Sequence, residues 1–283
     1  MSDNKLIKAI QDKGKSLEAE MSFFDHLEAL RWHLIRSAIS VVVLAIVVFL
    51  NFDFIFQKII MGPFQGDFWT YRMLCKLGPS MCITKIPGEI INTEMAGQFM
   101  LQINQSLLIG IILSIPYILW ELWRFIKPAL HERERKAAGG FVFYASLLFL
   151  LGILFGYYII APESISFLAA YTVSPDIKNQ FMISSYVSMV ATITLILGIV
   201  FELPMIIYIL ASLGILTGTF MKKTRRYSIV ILLIIGAIIS PSPDFLTTMI
   251  STIPLFILYE VGIVVASVVE KRRAKRHDEL MAS

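Results

Sequence analysis

Six long apolar segments dominate this sequence, and they limit what the chain can fold into. They cover residues 34–56, 98–120, 138–161, 186–213, 227–240 and 246–269. A helix of about 20 predominantly apolar residues crosses the hydrocarbon core of a bilayer. The composition agrees, because 57% of the 283 residues are apolar and only 16% are charged, which is too little polar surface for a water-soluble globule. The sequence predicts an all-α membrane protein with six transmembrane helices.

The basic residues predict the orientation of these helices. Six crossings place both termini on one side of the membrane. Five Lys and Arg residues fall in the opposite loops, which leaves 20 of the 25 on the side of the termini; the five are Lys58, Arg72, Lys76, Lys85 and Lys178. Because basic residues are enriched in cytoplasmic loops, both termini are predicted to lie in the cytoplasm. The net charge of +4 therefore reports orientation and not nucleic-acid binding.

The N-terminal region predicts a retained protein of the bacterial inner membrane. The residues before the first apolar segment include several acids, and no small-residue cleavage site follows that segment, unlike a signal or transit peptide. We expect a cytoplasmic amphipathic or flexible tail over residues 1–21, a membrane domain over 22–269 and a basic cytoplasmic tail over 270–283. The fifth segment is short, because only 14 residues separate Arg226 from Pro241. Either the bilayer thins there or the bundle admits water.

Several function classes have no support in the sequence. The four histidines are scattered and show no zinc spacing, so no metal site or other cofactor is expected. The stretch AIQDKGKS at residues 9–16 loosely matches a phosphate-binding loop, but no strand precedes it. The sequence contains no credible arrangement of nucleophile, base and metal ligands, so we do not expect an enzyme.

A few acidic residues and the two cysteines are the candidates for function. Glu202 falls near the middle of the fourth segment, where an ionised carboxylate is costly. Intramembrane acids are often functional, so Glu202 is a candidate site residue. The alternative is a purely structural role, in which Glu202 hydrogen-bonds to a neighbouring helix. Asp244 follows prolines in a tight turn, where capping the sixth helix explains it. Cys75 and Cys82 share the first outer loop and form either a small disulfide or two free thiols.

Several short motifs resemble those of one family. They are HLEALR at 26–31, WRFIKPAL at 123–130 with Glu134 and Arg135, FELP at 201–204, PDFLT at 243–247, IPLFILYE at 253–260 and Pro63. In this order they resemble TatC, the multispanning subunit of the twin-arginine protein translocase. The resemblance covers about residues 22–269. It implies a cup-shaped bundle with short fifth and sixth helices, in which Glu202 faces the concave side.

The resemblance also implies a function and partners. Such a protein recognises the twin-arginine signal peptides of folded proteins, associates with further copies in a receptor complex, recruits single-helix TatA and TatB subunits, and exports cargo with the proton motive force. Pro63, Pro204, Asp244 and Glu260 would be structural or partner-related positions.

Signal binding in the family involves two cytoplasmic glutamates. The glutamate of the first cytoplasmic loop corresponds to Glu134, next to Arg135 and after Phe125, with Glu132 as an additional acid. The N-terminal motif carries Arg31, but it departs from the family pattern because Ala29 occupies the glutamate position and Glu28 precedes it. One residue rotates a side chain by about 100° on a helix. Three alternatives follow. Either Glu28 substitutes for that glutamate, or Glu134 carries most of the recognition, or the signal preference of this protein differs. We favour substitution by Glu28.

A different class, a proton- or ion-coupled small-solute transporter, is the alternative function. It would use Glu202 and requires several polar residues at the bilayer midplane. Beyond Glu202, the apolar segments carry mainly Gln102, Asn104 and Gln105 near the outer half of the second helix.

Overall fold

A computed structural model of the chain describes residues 23–77, 83–126, 140–240 and 245–281. The helices in these ranges are α1 Phe23–Leu50, α2 Phe52–Ile55, α3 Trp69–Leu77, α4 Gly97–Ile126, α5 Phe141–Phe155, α6 Ala161–Ala170, α7 Ile183–Val200, α8 Leu203–Leu213, α9 Gly218–Ile239 and α10 Phe245–Met281. Two π-helical segments, Phe56–Ile60 and Gly156–Ile160, and a 3-10 turn, Gly62–Phe64, complete the helical part.

Five helical segments are long and apolar enough to cross a membrane. They are Glu28–Leu50, Gly97–Ile126, Phe141–Ala170, Ile183–Leu213 and Thr247–Lys275. The third continues from α5 through a π segment into α6, and the fourth combines α7 with α8. The helix α9 is not among them, because Lys222, Lys223, Arg225 and Arg226 occupy its first half. The predicted helical membrane fold is confirmed, with five helical segments in the described ranges long and apolar enough to cross a membrane. The count of six crossings stays a prediction.

The first crossing begins earlier than the apolar segment predicts. Helix α1 runs without interruption from Phe23 to Leu50 and so includes the polar residues that precede residue 34. It packs along α4, and the two helices approach closely at Gly110, where an added Cβ would lie 2.7 Å from the backbone nitrogen of Ala45. A larger residue at that position would separate the helices, so this glycine permits their tight packing.

The centre of the bundle is a packed apolar core. Ile160 of the second π segment, Leu197 of α7 and Leu255 of α10 are completely buried and belong to one cluster. Helix α5 also approaches α7 closely, since a Cβ at Gly152 would lie 2.5 Å from the carbonyl oxygen of Leu197. Helix α10 in turn packs against α8 and α9. The α7 and α10 helices therefore anchor the second half of the chain to the first.

The segments between α1 and α4 fold back onto the end of the bundle. The hydroxyl of the buried Tyr71 in α3 lies 3.0 Å from each of two carbonyl oxygens, those of Pro63 and Pro162. Burial, and then the charge of Glu163, raises the pKa of the Tyr71 phenol, which remains a donor. Pro63 is buried in the 3-10 turn, and its carbonyl oxygen accepts a hydrogen bond from Tyr71. Its structural or partner-related role stays a prediction.

A short β-sheet joins the two loops at this end. Strands β1, Glu89–Ile91, and β2, Gln180–Met182, pair in parallel, with Ile90 opposite Phe181. The all-α prediction did not include this pairing, because three residues on each side are too few for an alternating pattern. Cys75 lies in α3, and Cys82 lies outside the described residues, so their disulfide stays a prediction.

Candidate functional site

Helices α1 and α4 are antiparallel, so the start of α1 meets the end of α4. Three contacts fix this register: His33 with Glu121, Ala45 with Gly110, and the Gln102 amide with the carbonyl oxygen of Phe49. We call the region formed by residues 28–36 of α1 and 117–126 of α4 the α1–α4 junction. It brings together two segments that are about 90 residues apart in sequence, and it contains three of the predicted signal-binding residues.

The centre of the α1–α4 junction is Glu121, whose side chain is only 1% exposed. The Tyr117 hydroxyl donates a hydrogen bond of 3.0 Å to Oε1, and Nδ1 of His33 lies within hydrogen-bonding distance of Oε2. The Nη1 atoms of Arg36 and Arg124 lie 3.9 Å and 3.8 Å from the carboxylate oxygens. A buried carboxylate is costly unless it is paired and hydrogen-bonded, and these four side chains supply both.

Aromatic rings surround this carboxylate. The Phe125 ring meets the His33 ring edge to face, with centroids 6.1 Å apart. The Arg124 guanidinium lies over the Trp120 ring at 4.8 Å, and Trp120 also contacts Tyr117. Tyr117, Glu121 and Phe125 are four residues apart and so share one face of α4. Phe125, predicted from the family motif, therefore lies directly beside Glu121, which the sequence analysis did not select.

The spacing along α4 could have identified Glu121 from sequence. It has an aromatic residue four positions before and after it and an arginine three positions after it, which is a typical pattern for a supported helical carboxylate. Its burial could not have been predicted, because His33 and Arg36 reach it from another helix.

Glu28 and Arg31 lie in the first turns of α1 and are exposed, whereas Ala29 is half-buried. Ala29 and His33 are four residues apart and share a helix face, and His33 contacts α4. Ala29 therefore lies on the face that turns toward α4, and Glu28 lies about 100° away from it. Glu134, Arg135 and Glu132 lie outside the described residues, in the segment that follows α4.

Glu202 lies at a break in the fourth crossing and not inside one continuous helix. Helix α7 ends at Val200 and α8 begins at Leu203, and Glu202 occupies the N-cap position of α8 without a side-chain capping hydrogen bond. Pro204 lies in the first turn of α8 and has no N–H to donate to the carbonyl of Val200, which favours a helix start at this point. Pro116 and Pro254, by contrast, lie inside the continuous helices α4 and α10. The Oε1 atom of Glu202 is buried and has no hydrogen-bond partner among the described residues.

Glu260 and Asp244 were the remaining predicted positions. Glu260 in α10 accepts a 2.5 Å hydrogen bond from Nε of Arg225 in α9 and so joins these two helices. Asp244 lies outside the described residues. In the described ranges, no group of three or more His, Cys, Asp or Glu side chains could hold a metal ion.

A polar groove of about 570 Å³ lies between α4 and α7, away from the α1–α4 junction. Its polar lining includes Asn104, Gln105, Ser185, Ser188 and Thr192. The structure thus places two of the polar residues of the second predicted helix in a groove with α7. Glu202 lies farther along the fourth crossing, at the α7–α8 break.

Comparisons with known proteins agree on one family. The family model described as Sec-independent protein translocase protein (TatC) matches residues 25–254. The chain is 38% identical over 266 residues to the Sec-independent protein translocase protein TatC of Blattabacterium sp. subsp. Periplaneta americana, covering 92% of this chain and 100% of the relative. It is 30% identical over 253 residues to the TatC protein of Carboxydothermus hydrogenoformans, covering 89% of this chain and 95% of that protein.

A solved structure gives the same result. A crystal structure of the twin arginine translocase receptor TatC matches with a TM-score of 0.65 and 31% sequence identity, covering 87% of this chain and 99% of that one. The family resemblance proposed from sequence motifs is therefore confirmed. The chain belongs to the TatC family of Sec-independent protein translocase subunits.

Proposed function

We propose that this chain is the receptor subunit that recognises the twin-arginine signal peptides of folded proteins. It then exports them across a bacterial inner membrane with TatA- and TatB-type partners, using the proton motive force. The observation that carries the proposal is the α1–α4 junction, which brings Glu28 and Arg31 of α1 to the same end of the bundle as Phe125 of α4. The segment that contains Glu134 and Arg135 follows α4 directly.

The chemistry of the ligand fits this arrangement. Two adjacent arginines present two planar forks of N–H donors, and carboxylates accept such forks in bidentate geometry. Lysine is a single point of charge and loses this geometry. Glu28 is exposed and free to approach a peptide, whereas Glu121 is buried among its own partners. We therefore assign peptide binding to Glu28 and Glu134 and a supporting role to Glu121.

The experiment that tests this assignment compares carboxylate variants in a peptide-binding assay. The purified full-length chain and its Glu134→Gln variant are titrated with a fluorescent peptide that contains the Arg-Arg pair. We expect binding to weaken by about tenfold or more, since a hydrogen bond to a charged group contributes about 1.5–3 kcal/mol. Glu94→Gln, an exposed glutamate in another loop, is the matched control. Unchanged binding by Glu134→Gln would contradict the assignment.

A second set of variants tests whether Glu28 replaces the family glutamate, whose position in the N-terminal motif is occupied by Ala29. The double variant Glu28→Ala with Ala29→Glu moves the carboxylate to the helix face that also carries His33. We expect it to retain or improve binding relative to the original chain, while Glu28→Ala alone weakens binding. If Glu28→Ala alone has no effect, Glu28 does not substitute for the family glutamate.

The remaining assignments concern the membrane. We infer six crossings, with α9 as a short fifth one, a cup-shaped bundle and both termini in the cytoplasm. Support comes from the basic residues, which concentrate at the chain ends and in the segments after α4 and α8. Glu202 faces the concave side of this cup in the same proposal, which is supported by its place at the break between α7 and α8. Contacts between copies in a receptor complex, and contacts of TatA- and TatB-type helices near Pro63, Pro204, Asp244 and Glu260, belong to the same proposal.

The transporter alternative is less well supported. Such a protein needs several polar groups around one substrate near the bilayer midplane. Here Asn104 and Gln105 line a groove between α4 and α7, while Glu202 lies at the α7–α8 break. The polar residues therefore lie at two places in the described part of the chain, and the translocase family membership favours the receptor.

A further inference from the structure

The basic side chains around Glu121 exceed the charge that this carboxylate can neutralise. Arg36 and Arg124 approach it from different helices and carry two permanent positive charges against one negative charge. Both side chains are about half exposed, at 46% and 47%, whereas the carboxylate is buried. The part of the α1–α4 junction formed by Arg36 and Arg124 thus presents two positive charges at its surface, and the carboxylate of Glu121 lies underneath them.

The two guanidinium groups also keep hydrogen-bond donors available. Their Nη1 atoms lie 3.9 Å and 3.8 Å from the carboxylate oxygens, which is longer than a hydrogen bond. Each guanidinium carries five N–H donors. Both guanidinium groups therefore lie within 4 Å of one carboxylate without a hydrogen bond from these Nη1 atoms, and these donors remain able to bind an oxyanion that approaches from outside.

Two exposed tryptophans show at which depth of the membrane this surface lies. Trp32 of α1 is 52% exposed and Trp120 of α4 is 42% exposed. The antiparallel register that pairs residue 33 with residue 121 places these rings at nearly the same level as Glu121. Tryptophan is enriched at the level of the lipid headgroups, and the Arg124 guanidinium lies against the Trp120 ring. The arginines thus lie at headgroup depth.

We propose that Arg36 and Arg124 bind the phosphate of an anionic phospholipid headgroup, with Trp120 and Tyr117 against the upper part of its acyl chains. Basic pockets between membrane helices on the cytoplasmic side favour anionic lipid headgroups. The positive charge of Arg36 and Arg124 repels a twin-arginine peptide, so the lipid site is a different part of the junction from the peptide site assigned to Glu28. The inference uses the membrane orientation of the proposed function but does not depend on signal recognition.

The test measures lipid binding to the full-length chain purified in a neutral detergent. Dioleoyl phosphatidylglycerol and dioleoyl phosphatidylcholine are added in equal amounts, and bound lipids are counted by native mass spectrometry. We expect phosphatidylglycerol to be retained preferentially by the original chain, a result that needs no variant. Equal retention of the two lipids would overturn the proposal.

Two double variants then test whether phosphatidylglycerol binds at the two arginines. The double variant Arg36→Gln with Arg124→Gln should weaken phosphatidylglycerol binding by about thirtyfold, because each basic side chain near a membrane surface contributes about a fivefold factor. The matched control is Lys222→Gln with Lys223→Gln, which removes the same charge from exposed positions of α9 and should change binding by less than about twofold. Equal losses in both double variants would show general charge attraction and would contradict a site at the arginines.

A third arm distinguishes a lipid from a free anion. Glycerol phosphate and inorganic phosphate at millimolar concentration should not displace phosphatidylglycerol, because they lack the acyl chains that contact Tyr117 and Trp120. Displacement by either would overturn the lipid assignment. A twin-arginine peptide titration in detergent without phospholipid, run on the same preparation, tests the proposed receptor function separately from this lipid site.

Discussion

Among single residues, Glu121 has the most demanding environment in the described part of the chain. It is buried at the end of a membrane helix and held by His33, Tyr117 and two arginines. These partners come from both helices of the α1–α4 junction, so the carboxylate stabilises the packing of the start of α1 against the end of α4. We expect its role to be positioning, since Phe125 beside it is a predicted signal-binding residue.

Replacing Glu121 should therefore loosen the junction. We expect Glu121→Ala to lower the free energy of unfolding by about 1–3 kcal/mol, because the hydroxyl and ring donors lose their acceptor. A double-mutant cycle with His33→Ala, followed by thermal unfolding in detergent, should show a clear coupling energy. Glu28→Gln, exposed at the same junction, is the control and should leave stability unchanged. Additive effects of the His33 and Glu121 variants on stability would show that these two side chains do not stabilise the junction through their mutual contact.

At the scale of helices, much of the architecture could be predicted from apolar run length. The predicted segment 98–120 corresponds to α4, Gly97–Ile126, and the segment 186–213 corresponds to α7 with α8. The ends of the helices were predicted less accurately, because polar turns such as residues 23–33 continue the helix beyond the apolar segment. The β1–β2 pairing and the burial of Glu121 depend on contacts between distant segments, and local patterns carry no information about those contacts.

The break between α7 and α8 gives a prediction at this scale. Pro204→Ala restores an N–H that can bond to the carbonyl of Val200, so the fourth crossing should become one continuous helix. With Cys75 and Cys82 replaced by Ser, spin labels at Ser184→Cys and Leu213→Cys should move farther apart in the Pro204→Ala chain, as measured by pulsed electron resonance. Export should fall, because Glu202 leaves its position at the break.

The control for that measurement is Pro254→Ala. Pro254 already lies inside the continuous helix α10, so this change should not alter the distance between the same two labels. An unchanged distance in the Pro204→Ala chain would show that Pro204 does not cause the break.

For the whole molecule, orientation follows from charge. Family membership and five apolar crossings establish a membrane protein of the translocase, and the basic residues predict which side each loop occupies. The short helix α9 decides the number of crossings, because its first half is basic and only its second half is apolar. Residues 178 and 222 lie before and after the helical segment Ile183–Leu213, so they should lie on opposite sides of the membrane whether or not α9 crosses.

Cysteine labelling tests this orientation in intact cells. In a chain with Cys75 and Cys82 replaced by Ser, a membrane-impermeant maleimide should label Lys178→Cys, which the proposed orientation places in an outer loop. It should label Lys222→Cys only after the cells are opened. Labelling of Lys222→Cys in intact cells would reverse the proposed topology.

We infer that this chain recognises a pair of arginines by their geometry and not only by their charge. The most direct measurement is the affinity of the purified chain for a signal peptide with Arg-Arg and for the same peptide with Lys-Lys, at equal ionic strength. Because only the guanidinium forks can engage carboxylates in bidentate geometry, we predict that the Arg-Arg peptide binds at least about tenfold more tightly. Equal affinity for the two peptides would contradict the receptor function.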